Sequence, residues 1–239
     1  LKKTEARICR RMYWPTWRSD AALWIRWCKP CAQYHRGPPP KQAELNPFPA
    51  SSPFKVLSID ITGPHPRSRD GNEYLLTAVD IFSKWAEAIP IRQHTAVIVA
   101  KKLVDNVFSK FGVPLRILSD QGPEFESALM AELCRRHGIE KIRTTSYKPS
   151  TNGTCERFHR TLNGMLGKVV SESQRDWDRH VNSVMAAYRA TVHRSTGYTP
   201  NMLVLGRENR APIDLVLAVG DDEPEGVGTS TDEYVQELL

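Results

Sequence analysis

Three acidic residues stand where a carboxylate is either costly to place or well placed for chemistry. Asp60 lies within the apolar run 56–61, where an unpaired carboxylate is strongly unfavourable unless a cation or a proton compensates it. Asp120 follows the apolar segment 115–119 and precedes a Gly-Pro pair, so it falls where a strand ends and turns. Glu156 begins a helical pattern. Carboxylates delivered by three different elements supply the hard oxygen ligands that a pair of Mg²⁺ or Mn²⁺ ions needs.

Each acid also has a purely structural explanation. When each residue is taken alone, the simpler interpretation is structural: Asp60 pairs with an arginine, Asp120 is a turn aspartate and Glu156 is a surface acid. The three residues become a candidate metal site only in combination.

The helix that begins near Glu156 has a polar face around that residue. At about 100° per residue, the side chains that share this face are those of Asn152, Arg160 and Asn163. The apolar stripe is centred on the opposite side and consists of Phe158, Leu162, Met165, Leu166 and Val169. Glu156 is therefore expected to point away from that stripe, with an arginine and two amides beside it.

The elements that must position these acids are predicted from hydrophobic periodicity and from Gly and Pro signals. Strands are predicted at 56–61, 74–79, 85–91, 115–119 and 140–144, the first three joined by short connections as antiparallel neighbours. Helices are predicted at 95–111, 127–137, 153–171 and 175–190, and a polar loop at 146–153. Three strands followed by alternating strands and helices indicate an α/β domain with a mixed sheet.

Composition and charge narrow the class of protein. The chain has 239 residues, of which 40% are hydrophobic and 25% charged, as in ordinary globular proteins. No apolar run approaches the roughly 18 residues of a membrane span, and five scattered cysteines argue against a disulfide framework. Residues 1–46 carry ten basic and three acidic side chains, whereas residues 214–239 carry eight acidic and no basic ones. The excess of basic side chains before residue 214 favours a polyanionic partner. The acidic tail, residues 214–239, is expected to be flexible.

The amino-terminal segment ends in a cysteine pair. Residues 1–36 show apolar and aromatic residues at helical spacing, and the Pro-rich stretch 37–53 that follows is typical of a linker. Cys28 and Cys31 have the spacing of half a zinc site, since tetrahedral Zn²⁺ takes four nitrogen or sulfur ligands. His35 is more simply a surface histidine than a third ligand.

The sequences around the three acids resemble the catalytic core of retroviral and retrotransposon integrases. Asp60 lies in Ser-Ile-Asp-Ile-Thr-Gly-Pro, Asp120 in Ser-Asp-Gln-Gly-Pro-Glu-Phe and Glu156 in Thr-Asn-Gly-Thr-Cys-Glu-Arg-Phe-His-Arg, with 35 residues between the last two acids. The segments 77–85, 147–153 and 189–200 are similar to those of gypsy-type long-terminal-repeat retrotransposons. The likeness extends over about residues 1–213.

The resemblance implies an RNase H-like core, with a five-stranded mixed sheet flanked by helices over residues 54–213 and a small helical partial zinc-binding segment before it. It implies DNA 3′-end processing and strand transfer with two Mg²⁺ or Mn²⁺ ions held by Asp60, Asp120 and Glu156. Asp80 is then expected to be structural, and Glu124 to lie beside the metal ligands. The expected partners are double-stranded DNA and further copies of the chain, as a dimer or tetramer, in the nucleus and without a membrane.

The resemblance also bears on zinc and on DNA contacts. Residues 1–36 resemble the second half of a His₂Cys₂ zinc domain, so Zn²⁺ is expected at Cys28 and Cys31 only if a histidine pair precedes Leu1. The side chains expected to contact DNA are those of Lys148, Asn152, Arg157 and Arg160. Lys148 replaces a histidine, and Thr16 a glycine, that related elements often carry; neither change removes a metal ligand.

Two other functions share these features. A domesticated, catalytically silent protein that binds DNA or protein would retain the fold, but the intact acidic triad favours an enzyme. A bacterial transposase would share the triad, yet it fits the Tyr-Trp-Pro and Ser-Thr-Gly segments less well.

Overall fold

A computed structural model of the protein describes residues 2–30, 50–143, 149–211 and 214; of residues 2 and 149–153 it describes the backbone only. Two helices precede the sheet domain, α1 (Lys2–Ile8) and α2 (Trp17–Trp27). The strands are β1 (Val56–Thr62), β2 (Tyr74–Asp80), β3 (Ala86–Ile91), β4 (Arg116–Ser119) and β5 (Glu140–Arg143). The remaining helices are α3, which starts as Ala96–Leu103 and runs on to Phe111, α4 (Ala128–His137), α5 (Pro149–Leu166), α6 (Trp177–Arg189) and α7 (Pro200–Leu205).

The five strands form one mixed sheet in the order β3-β2-β1-β4-β5. Strands β1, β2 and β3 pair antiparallel, whereas β4 and β5 continue the sheet parallel to β1. This arrangement confirms the mixed α/β sheet predicted from the sequence. In the antiparallel register of β1 and β2, Asp60 lies directly opposite Thr77.

Helices cover both faces of the sheet. Successive side chains along β1 point to opposite faces, so neighbouring residues of this strand contact different helices. Leu57 and Ile59 belong to the core beneath α3 and α4. Ser58 and Asp60 point to the other face, where α5 and α6 build a second core around Phe158, Leu162, Trp177 and Met185. The chemistry-bearing residue of β1 therefore faces helix α5.

Helix boundaries differ from the prediction at α5. The sequence predicted a loop up to residue 153, but the helix begins at Pro149 and ends at Leu166 instead of residue 171. Proline is well tolerated in the first turn, where its missing N–H would have had no helical partner. At the other end Ser171 bonds to Asp176 through both its N–H and its hydroxyl, so these residues form a turn rather than a further turn of helix.

Helix α3 contains an irregularity that periodicity does not reveal. Between Ala96–Leu103 and Ser109–Phe111 the backbone makes a π-helical turn, Val104–Phe108. Such a turn keeps the apolar side chains Val107 and Phe108 buried while it shifts the helical register by one residue. The prediction of one helix over 95–111 is correct in extent and misses this turn.

Helix α1 and the turn after it contact the carboxy-terminal part of the described chain. Arg7 donates to the carbonyl oxygen of Ala187, and Arg11 forms an ion pair with Asp214. Asp214 is buried, although the sequence placed it at the start of a flexible tail. Trp24 and Trp27 remain 75% and 78% exposed on α2. In the part of the chain that the structure describes, no helix is both long and apolar enough to cross a membrane.

Candidate active site

Asp60 is a largely buried acid on the central strand. Its side chain on β1 is 15% exposed, and its Oδ1 accepts a hydrogen bond of 2.8 Å from the backbone N–H of Ile61. Burial raises the pKa of this carboxyl to about 6, against the lowering effect of that hydrogen bond, and the negative charges of Asp120, Glu156 and Glu124 raise it further. Asp60 is thus a carboxylate whose charge the fold does not neutralise.

Asp120 is held by the turn that follows β4. Its Oδ1 accepts a hydrogen bond of 3.0 Å from the backbone N–H of Gly122. A Cβ at position 122 would lie 3.1 Å from that oxygen and 2.9 Å from Oε1 of Glu124. Two carboxylates therefore crowd the backbone at Gly122, and a side chain at this position would have to displace them.

Glu156 is carried to the site by helix α5. The preceding residue, Cys155, is fully buried and its thiol contacts Oγ of Ser58 on β1 at 3.1 Å. This contact seats the helix on the strand that bears Asp60, while Glu156 itself is exposed. Burial raises the pKa of the Cys155 thiol to about 12, so this cysteine is an anchor and not a nucleophile.

The structure brings the three predicted acids into one electrostatic neighbourhood. Asp60 experiences the charges of Asp120 and Glu156, although the three residues come from β1, the turn after β4 and helix α5. Within the described residues, no group of three or more His, Cys, Asp or Glu side chains is close enough to form a ready-made metal site. The donor set nevertheless fits Mg²⁺ or Mn²⁺, because it offers carboxylate oxygens whose mutual repulsion a divalent cation would relieve.

Glu124 joins this neighbourhood as a fourth carboxylate. Its side chain lies 3.6 Å from Nδ1 of His94, whose ring packs edge-on against Tyr74. A cleft of about 510 Å³ adjoins it and is lined in part by these residues and by Arg92. The sequence predicted Glu124 beside the metal ligands, and its charge does act on Asp60.

Asp80 has a structural role. It is fully buried at the end of β2 and accepts hydrogen bonds from the backbone N–H of Phe54 and from both the N–H and the hydroxyl of Ser83. These donors satisfy the carboxylate and fix the turn between β2 and β3.

His159 is a site residue that the sequence reasoning missed. It lies one turn after Glu156 on α5, its Nε2 is 2.8 Å from Oγ1 of Thr77, and its Nδ1 is 3.8 Å from Oδ2 of Asp60. Burial, and secondarily the charge of His65, lowers the pKa of His159 to about 4, so its contact with Asp60 is not an ion pair at neutral pH. The Glu-x-x-His spacing, which puts both residues on neighbouring faces of one helix, is the signal that could have revealed it.

The residues predicted to contact DNA are only partly described. Arg157 and Arg160 are exposed on α5. Lys148 lies outside the described residues, as does the side chain of Asn152. Cys28 ends helix α2, and its partner in the predicted zinc half-site, Cys31, also lies outside the described residues.

Comparison with known proteins places this geometry in a family context. Residues 50–149 match the integrase core domain family. The chain is 29% identical to the retrovirus-related Pol polyprotein from transposon 412 of Drosophila melanogaster over 212 residues, which are 89% of the chain and 17% of that polyprotein. It is 38% identical to the Gag-Pol polyprotein of baboon endogenous virus (strain M7) over 184 residues, which are 75% of the chain and 10% of that polyprotein.

The fold is that of a retroviral integrase catalytic core. The catalytic core domain of HTLV-2 integrase, solved in complex with magnesium in a trimeric form, superposes with a TM-score of 0.51 at 21% identity. The match covers 64% of this chain and 97% of that domain, so nearly the whole solved domain has a counterpart here. The chain itself spans less than a fifth of the length of either polyprotein.

Proposed function

We propose that the chain is an integrase that catalyses DNA integration, because residues 50–149 match the integrase core domain family and the chain is similar to retrotransposon and retroviral polyproteins. The reaction is metal-dependent processing of DNA 3′ ends, followed by transfer of those ends to a second DNA. The observation that carries the proposal is the electrostatic convergence of Asp120 and Glu156 on the largely buried Asp60. Repelling carboxylates that the fold does not neutralise are what a divalent cation site requires.

Asp60, Asp120 and Glu156 are the residues that would hold the metal ions. Metal ions held there would supply Lewis-acid activation of an attacking water or 3′-hydroxyl and would stabilise negative charge on the leaving oxygen. The protein's own contribution is to carry these carboxylates on a strand, on the turn after a second strand and on a helix packed against the sheet. Cys155 is buried with a raised pKa, which agrees with a reaction without a covalent protein–DNA intermediate.

Double-stranded DNA is the proposed substrate. Arg157 and Arg160 are exposed on the helix that presents Glu156, so they can neutralise phosphates next to the reacting strand. Lys148 and Asn152 are proposed to extend this contact. The protein is proposed to act in the nucleus as a dimer or tetramer, and to bind Zn²⁺ at Cys28 and Cys31 if a histidine pair completes the site.

A joining assay tests the proposal. The protein, with any amino-terminal sequence its gene encodes, is incubated with labelled oligonucleotides that match the ends of the element and with a plasmid target in Mg²⁺ or Mn²⁺. The parent should produce joined products, and Asp60→Asn, Asp120→Asn and Glu156→Gln should each abolish them while DNA binding stays within a few-fold. A parent that binds DNA but joins nothing in either metal would support the silent, domesticated alternative instead.

A further inference from the structure

His159 faces the sheet from the same helix that carries Glu156. Its side chain is only 14% exposed, and it contacts both central antiparallel strands at the level of Asp60. Among the described side chains of this helix, those that touch these strands with polar atoms are Cys155, bonded to Ser58, and His159, which lies four positions later. Positions i and i+4 share one helix face, so Glu156 is held between two anchors.

The hydrogen bonds of Thr77 determine how His159 is protonated. Thr77 donates its hydroxyl proton to the backbone carbonyl oxygen of Asp60 at 3.0 Å. Because a hydroxyl has one proton, its oxygen must act as the acceptor towards Nε2 of His159, 2.8 Å away. His159 therefore donates from Nε2, and the proton of the neutral ring is on that atom.

These bonds form one chain from the helix to the strand. It runs from the imidazole of His159 through the hydroxyl of Thr77 to the main chain of Asp60, across the register in which Thr77 and Asp60 lie opposite each other. The second ring nitrogen, Nδ1, stands 3.8 Å from the Asp60 carboxylate. These hydrogen bonds therefore connect helix α5, which carries Glu156, to Asp60 on β1.

We propose that His159 is a positioning residue, which fixes Glu156 relative to Asp60 through its hydrogen bond to Thr77. The inference rests on the proposed function of the acids as metal ligands. The described carboxylates are not gathered into a ready-made site, so a cation must draw them together. A helix that is held in register loses less freedom when this happens, and loss of such a supporting contact typically weakens metal affinity about 10- to 100-fold.

Two replacements of the imidazole separate the Thr77 contact from the Asp60 contact. Glutamine places an amide near the position of Nε2 and can donate to Thr77. Asparagine ends near the position of Nδ1, beside Asp60, and does not reach Thr77. His159→Leu removes both contacts, while Thr77→Val removes the acceptor hydroxyl and Thr77→Ser keeps it.

The measurement is Mn²⁺ affinity by isothermal titration calorimetry on folded protein without DNA. We expect His159→Leu and Thr77→Val each to weaken binding at least about tenfold, and the double variant to be no weaker than the poorer single variant, because both remove one interaction. His159→Gln and Thr77→Ser should stay within about threefold of the parent, whereas His159→Asn should resemble His159→Leu. His180→Leu, a matched change on α6 away from the acids, should leave the affinity unchanged.

Several outcomes would overturn the proposal. If the Mn²⁺ affinity of His159→Leu stays within twofold of the parent, His159 has no positioning role. If asparagine restores the affinity and glutamine does not, the contact with Asp60 is the important one, and the proposed role of the Thr77 hydrogen bond is wrong. If His159→Leu does not fold, the comparison of Thr77→Val with Thr77→Ser decides the question, and equal affinities refute the proposal. A parent that binds no Mn²⁺ would instead contradict the proposed metal function.

Discussion

Replacing Asp60 by asparagine should stabilise the metal-free protein at neutral pH. The substitution keeps the shape of the side chain and leaves an oxygen that can accept the N–H of Ile61, which now bonds to Oδ1 at 2.8 Å. What it removes is a charge that is largely buried and is repelled by Asp120 and Glu156. At an active site such a charge is kept for function at the expense of stability.

The magnitude follows from the pKa of Asp60. Moving the pKa from its ordinary 3.8 to about 6 corresponds to about 3 kcal/mol. Because the folded state holds this proton more tightly than the unfolded chain, the associated stability is fully present below about pH 4 and is lost as the pH rises through about 6. At pH 7.5 the Asn variant should therefore be more stable by up to about 3 kcal/mol, or roughly 6–12 °C in melting temperature for a domain of this size.

Thermal denaturation in EDTA at pH 4.5, 6 and 7.5 checks this. The difference in melting temperature between Asp60→Asn and the parent should grow with pH, and Mn²⁺ should reduce it by stabilising only the parent. Asp80→Asn is the matched control; it should destabilise at every pH, because Asp80 accepts three hydrogen bonds in a buried turn. A difference that does not depend on pH, or an Asn variant less stable than the parent at pH 7.5, would refute the account of Asp60.

Three further perturbations probe the surroundings of the site. Gly122→Ala should weaken Mn²⁺ binding about tenfold in calorimetry, because the new methyl group would displace carboxylates about 3 Å away, and unchanged affinity would contradict this crowding. Replacing Arg157 and Arg160 together by Gln should reduce the slope of log DNA affinity against log salt concentration by about 2, and an unchanged slope would exclude phosphate contacts there. Arg11→Gln should lower the melting temperature at pH 7. The hydrogen bond from Arg11 lowers the pKa of Asp214 to about 2, so the difference in melting temperature should vanish as the pH falls through that value. A difference in melting temperature that persists in acid would contradict the pairing of Arg11 with Asp214.

The strands, and the positions of Asp60 and Asp120 on them, were predictable because each depends on local pattern. Alternation and β-branched residues mark β1, and the Gly-Pro turn after β4 marks the position of Asp120. The structure then unites these positions because parallel strands bring their carboxyl ends to one edge of the sheet. The roles of Asp60, Asp120 and Glu156 as ligands remain predictions.

What the sequence did not reveal depends on contacts between distant residues. The hydrogen bond from His159 to Thr77 joins positions 82 residues apart, and no local pattern encodes it. The early start of α5 at Pro149 reversed a prediction based on loop-forming residues, since a helix anchored at Cys155 and Ser58 can extend through residues of low helix propensity. The π-helical turn in α3 likewise depends on side-chain packing, which hydrophobic periodicity alone does not predict.

Anomalous diffraction from crystals grown with Mn²⁺ tests the central claim most directly. We expect anomalous peaks coordinated by carboxylate oxygens of Asp60, Asp120 and Glu156, and we expect these peaks to be lost in crystals of Asp60→Asn. Mn²⁺ bound elsewhere, or no peak near these residues at metal concentrations that saturate binding in solution, would contradict the assignment of the three acids as the metal site of an integrase.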